Sequence, residues 1–273
     1  MGERPLRVRS VQRRHRRFDV ENNLKIVSAA ADEGGADLLV FPEMFLTGYS
    51  LGDDVLSNAL DLRGEVVQKL HKIARSSGSN ILVGLPERSE KVRGQIHNSA
   101  VLIGPEGLRG AYRKMHLVDF GPFEEWAYFT PGDDPFIFEL NGMRFGVMIC
   151  YDIFFPELAR YYALMGADVL ICISASPSVT RPFFEELMKG RAIENTTYFV
   201  YSNMVGMDSR MDFWGGGAII GPRGDVISKG PYFEEGDVVA ELHPEVVSFA
   251  RRFRPTIRDA RNTMLRKLSE LGR

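Results

Sequence analysis

Three reactive side chains stand where an apolar, β-rich run gives way to a polar segment. LeuLeuValPhe at 38–41 runs into Pro42 and Glu43, Tyr112 and Arg113 lead into Lys114, and PheGlyValMetIle at 145–149 ends on Cys150. Rigid sheets present functional groups at such strand ends, where the backbone turns into a loop. Singly, each has a plainer explanation. A strand-end cysteine is more often a small buried hydrophobe than a nucleophile, a glutamate after proline can cap a turn, and a loop lysine is usually solvated. Cys172, inside IleCysIle, reads as core in just this way. As a set the three offer more, because a thiol needs a base to become a nucleophile and an acyl-transfer intermediate needs a cation or N–H donors around its oxyanion. Glutamate, lysine and cysteine would supply base, charge and nucleophile.

The elements that must hold these groups alternate along the chain. Apolar runs read as strands at 6–11, 37–41, 80–84, 99–103, 144–149, 168–173, 198–203, 217–220 and 237–241. Between some of them lie amphipathic helices, at 21–33, 63–75, 157–165 and 183–194; in the second, Val66, Leu70 and Ile73 recur at steps of three and four. GlyProGluGly at 104–107 and GlyProArgGly at 221–224 read as hairpin turns between strand-like runs. Gly215 to Gly217 has neither the Lys-Ser/Thr nor the following helix of a phosphate loop and reads as a tight strand entry. The pattern implies an α/β protein of sheet layers covered by helices, and without a linker or repeat the whole of 1–273 reads as one domain.

A chain of this length buries roughly three-quarters of its unfolded surface, so it needs no disulfide or structural metal. Two cysteines and five scattered histidines match no zinc spacing, and a reducing, cytoplasmic setting is the default. No apolar run approaches the ~20 residues of a membrane helix. Charge is uneven: residues 1–20 carry net +5, residues 251–273 carry +6 and the remainder −13. Basic ends could grip nucleic acid. They lack the interleaved aromatics of a base-stacking surface, so docking on an acidic surface of the same chain or of a second subunit is favoured. The run Arg13, Arg14, His15, Arg16, Arg17 is too dense to dismiss as a solvated face.

PheProGluMetPheLeuThrGlyTyr at 41–49, TyrArgLysMetHisLeu at 112–117 and GlyValMetIleCysTyrAspIlePhePheProGluLeuAlaArg at 146–160 resemble, in order and placement, the motifs of the nitrilase superfamily of carbon–nitrogen hydrolases. GluGluTrpAlaTyrPheThrProGly at 124–132 is similar to the family segment carrying a second glutamate, which falls on Glu125. The resemblance implies a four-layer α-β-β-α sandwich, usually paired as a homodimer across which the basic tail would reach. It further implies a Glu43, Lys114, Cys150 triad with Glu125 as an orienting carboxylate, the Tyr151 N–H as an oxyanion donor, and no cofactor or metal. Tyr49, Phe154, Ser174 and Ser176 fall near the implied substrate pocket. Positions 153 and 154 are apolar where family members that bind carboxylate-bearing substrates often carry arginine, which points to an uncharged or aromatic acyl group; Arg181 could restore anion binding.

The function that follows is a thiol-dependent amidase releasing ammonia and a carboxylic acid from a small-molecule amide. A nitrilase and an N-carbamoyl amidohydrolase come next. Of other classes, a catalytically silent binding or scaffold protein has no chemical need to keep Glu43, Lys114, Glu125 and Cys150, and a nucleic-acid binder would show steep salt dependence.

Overall fold

Strands of alternating inward and outward side chains build two sheets, seen in a computed structural model that describes residues 4–50 and 52–270. The ends of the 1–273 range lie outside the described residues, as does Leu51. The strands are β1 (Leu6–Ser10), β2 (Leu38–Val40), β3 (Asn80–Arg88), β4 (Ile96–Gly104), β5 (Gly107–Arg113), β6 (Ile137–Leu140), β7 (Met143–Ile149), β8 (Val169–Ser174), β9 (Tyr198–Asn203), β10 (Val205–Asp208), β11 (Met211–Trp214), β12 (Ala218–Ile220), β13 (Val226–Lys229) and β14 (Val238–Leu242). One sheet runs β14-β1-β2-β3-β4-β5 and the other β13-β12-β9-β8-β7-β6, while β10 and β11 form a separate ribbon. Each sheet has a parallel centre, β1-β2-β3 or β7-β8-β9, and antiparallel flanks.

The helices are α1 (Val20–Asp32), α2 (Val55–Asn58), α3 (Glu65–Ser77), α4 (Glu125–Tyr128), α5 (Pro156–Leu164), α6 (Arg181–Asn195), α7 (Pro244–Phe253) and α8 (Asn262–Glu270). Local chemistry sets their ends. Asp19 caps α1 by accepting the Asn22 N–H at 3.0 Å. Gly78, at φ +72°, closes α3 in the left-handed conformation. Successive residues of the first sheet face opposite ways: Leu39, Ile81, Val83 and Val101 pack on α1 and α3. Leu38, Val40, Leu82 and Leu102 join a core continuous with β7, β8 and β9 and onward to α5 and α6. The result is the expected layering of helices, sheet, sheet, helices.

All the strands and helices expected from the apolar pattern are present, with ends shifted by a few residues. Strands β5, β6, β10, β11 and β13 were not among them, because they are short or half-exposed and carry no clean alternation; β13 is almost wholly exposed. Both Gly-Pro segments are hairpin turns, and Gly215 and Gly216 take positive φ just ahead of β12. Among the described residues no helix is long and apolar enough to cross a membrane.

Several residues of the basic ends are engaged within the chain. Arg13 pairs with Glu33 at 2.5 Å and Asp237 at 2.9 Å, His15 meets Asp208 at 3.0 Å, and the Arg14 N–H donates to Glu235 at 2.7 Å. In the basic tail Arg251 pairs with Asp168 at 3.0 Å, and Arg254 donates to the carbonyls of Ile193 and Pro222. These two arginines are thus held by their own chain, where the resemblance has the tail reaching across to a partner.

Candidate active site

Both sheets hand their strand-end residues to one place. Glu43 follows β2, Lys114 follows β5 and Cys150 follows β7, and the chain folds Glu125 back at the start of α4. The β2 exit is steered by β3: Gly84 donates its N–H to the Pro42 carbonyl at 3.1 Å, and Met44 takes φ +53°. A Cβ at Gly84 would lie 2.4–2.6 Å from Met44 N, Pro42 O and Glu43 Cα, so only glycine fits under the glutamate. Lys114 is fixed by its backbone, its N–H on the Asn98 carbonyl at 2.8 Å and its own carbonyl accepting from Gly132 at 2.9 Å.

Cys150 sits at a bend. At φ +47° it is a non-glycine residue in the left-handed region, a conformation costing about 1–2 kcal/mol. Asp152, fully buried, holds the bend by accepting the Ile149 N–H at 2.9 Å, the Tyr112 hydroxyl at 2.7 Å, and the backbone and ring of His116 at 3.0 and 2.7 Å. Cys150 opens a short 3-10 turn, which leaves the Tyr151 N–H in its first positions without an intrahelical acceptor.

Lys114 Nζ bridges two carboxylates, donating to Glu43 Oε1 at 2.9 Å and Glu125 Oε1 at 2.7 Å, and all three side chains are buried. Glu43 also accepts from Asn98 Nδ2 at 2.6 Å on Oε1 and from the Ala175 N–H at 2.6 Å on Oε2. Glu125 accepts from the Tyr49 hydroxyl at 2.6 Å and the Val118 N–H at 3.0 Å. Burial raises the Glu43 carboxyl above its ordinary value, with the charge of Glu125 adding and that of Lys114 opposing. Burial works against the Lys114 ammonium, yet Glu125 and Glu43 outweigh it and hold it well above the usual lysine value. Burial and the negative charge of Glu43 push the Cys150 thiol well up, and Lys114 draws it only part of the way back. Lys114 is therefore held as the ammonium and the Cys150 thiol as the neutral form. Tyr49, raised well above its ordinary value by burial and then by Glu125, stays a phenol and so a donor.

Cys150 lies at a cavity of about 280 Å³ whose walls include Tyr151, Phe154 and Ser176. Ser174 is elsewhere: fully buried in β8, it faces the Cys172 thiol at 3.6 Å. Cys172 is buried, with a thiol pushed up to about 12 by that burial. Arg181 stacks over Tyr232 at 4.7 Å and lies 4.0 Å from Glu185. Sequence reasoning passed over Asn98 and Asp152. Asp152 lies inside the quoted cysteine motif, but an aspartate that only accepts hydrogen bonds has no signature of its own. The Ala175 and Val118 amides are backbone groups that no residue type could announce.

The chain is similar to several known proteins. The carbon–nitrogen hydrolase family model matches residues 7–252. A nitrilase from Pyrococcus abyssi is 39% identical over 222 residues, covering 80% of this chain and 80% of that protein. An (R)-stereoselective amidase from a Pseudomonas species is 33% identical over 245 residues, covering 89% and 86%. A solved variant of the Nesterenkonia sp. AN1 amidase carries the acetamide moiety of fluoroacetamide covalently on its active-site cysteine. It superposes with a TM-score of 0.80 at 27% identity over 97% of each chain. With a family model spanning most of its length and relatives of this identity, the chain belongs to the carbon–nitrogen hydrolases of the nitrilase superfamily.

Proposed function

We propose that the protein is a thiol-dependent amidase with Cys150 as nucleophile, Glu43 as base and Lys114 as oxyanion partner. The observation that carries this reading is the Lys114 ammonium bridging Glu43 and Glu125 beside a thiol on which all three charges bear. Because the thiol is held neutral, its proton passes to Glu43 as the sulfur attacks the carbonyl carbon. The oxyanion forms against Lys114 and the Tyr151 N–H. As the C–N bond breaks, Glu43 returns the proton to the leaving nitrogen, and ammonia departs from a thioester. Water then gives a proton to Glu43 and attacks the thioester, the C–S bond breaks, and the sulfur recovers the proton as the carboxylic acid leaves. Glu125, pinned by Tyr49 and Val118, orients the ammonium.

Hydrolysis of a nitrile on the same thiol is the second reading, favoured by the likeness to the Pyrococcus abyssi nitrilase. A nucleophilic thiol suits a reducing compartment, and a cytoplasmic homodimer built from one such domain completes the proposal; sedimentation tests the pairing. Screening amides, nitriles and N-carbamoyl amino acids for ammonia release is the decisive experiment. Cys150→Ala is expected to keep the circular dichroism of the parent and to lose all ammonia release, and iodoacetamide is expected to label Cys150 but not Cys172. Turnover surviving in Cys150→Ala would remove the assignment.

A further inference from the structure

The cavity over Cys150 has an unusual lining for a site that must accept a polar amide. Val118, Phe120, Phe123, Phe154, Phe183 and Phe184 contribute most of the wall, and no lysine, arginine, histidine or carboxylate is among its lining residues. Its serine and threonine hydroxyls are already committed. Ser176 Oγ and Thr180 Oγ1 bond each other at 2.5 Å, Ser176 Oγ accepts from Trp214 Nε1 at 3.3 Å, and Thr180 Oγ1 donates to the Pro177 carbonyl at 2.7 Å. The nearest cation of the cluster, Lys114, is engaged by two carboxylates, and Arg181 is held over Tyr232 by Glu185. A charged acyl tail entering here would lose its water and find no partner. The wall rings pack edge-on against one another, Phe120 on Tyr151 at 5.4 Å and Phe154 on Phe184 at 5.5 Å, and so offer an entering acyl group an aromatic surface.

We infer that the acyl group taken by this site is apolar and aromatic, so that the substrates are amides of arylalkyl carboxylic acids, and amides that also carry a carboxylate are rejected. The assignment rests on the amidase reading and adds the identity of the acyl half. The test compares kcat/KM for ammonia release from 3-phenylpropanamide, hexanamide and succinamate on the full chain. The arylalkyl amide is expected to exceed succinamate by more than about tenfold, since a desolvated, unpaired charge costs at least that much, and to exceed hexanamide. A ratio to succinamate below about tenfold, or hexanamide as the better substrate, overturns the assignment while ammonia release leaves the thiol chemistry standing. Failure of all three amides, with Cys150 inert to iodoacetamide, overturns the amidase reading itself. Phe120→Arg gives a second arm. Phe120 is 55% exposed, so the change spares the fold and sets a guanidinium at the rim. The preference over succinamate is expected to fall at least tenfold, and an unchanged ratio counts against the assignment.

Discussion

In the proposed mechanism the Lys114 side chain is the residue on which both chemistry and stability turn. Truncating it removes one ammonium and strands Glu43 and Glu125 as buried neighbours of like charge. Breaking a buried ion pair from one side typically costs about 3–5 kcal/mol, and loss of an oxyanion partner costs on the order of 10²–10³ in rate. Lys114→Ala is therefore expected to lose nearly all ammonia release and several kcal/mol in urea unfolding at neutral pH. The stability deficit should shrink as the medium is acidified and the stranded carboxylates take up protons. The sequence marks the lysine as catalytic, but its structural weight appears only once both carboxylates are seen on the same nitrogen. Glu43 makes a pH prediction of its own. Its carboxyl is raised by burial, and only the ionised form can take the Cys150 proton. The acid limb of kcat/KM should accordingly lie above the ordinary glutamate value of about 4.5, and a limb at or below it would contradict the role.

At the scale of elements, the site is a set of strand exits, and their precision depends on what lies beneath them. Gly84 in β3 allows the Pro42 to Met44 backbone to pass at contact distance. Gly84→Ala is expected to push Glu43 out of line, reducing ammonia release by an order of magnitude or more at a stability cost of about 1–3 kcal/mol; normal activity would show that the exit can yield. The strand exits holding Glu43 and Cys150 were legible in the sequence because each ends a visible apolar run, whereas Lys114 follows the half-exposed β5 and is marked by its motif alone. Strands β6, β10, β11 and β13 were not legible, since β13 shows little burial and β10 with β11 forms a ribbon outside both sheets. Nor was the anchoring of Asn98 to Glu43 legible, because a strand asparagine reads alike whether its amide faces a carboxylate or water. Ser174 and Ser176, two positions apart in one segment, show the same limit. Position in a motif places both near the pocket, and only the geometry separates the wall residue from the one buried against Cys172.

On the scale of the whole molecule, each sheet brings part of the machinery, and the seam between them is stitched at the chemistry. The Ala175 N–H beyond β8 reaches Glu43 beyond β2 across 132 residues of sequence. Contacts of such separation form late, because loop-closure entropy must be met before they reward the chain. In dilution from denaturant, far-ultraviolet circular dichroism should recover before ammonia release does; simultaneous recovery would mean that the halves associate first. Parts of the basic termini, which the sequence leaves open between partners, are tied to their own chain, with Arg13, Arg14, His15 and Arg251 meeting Glu33, Asp237, Glu235, Asp208 and Asp168. That single amide-to-carboxylate stitch has a bearing on biosynthesis. On the proposed roles, a nascent or half-assembled copy carries its sulfur without the glutamate placed to take its proton, so competence to cut amides arrives only with the finished architecture.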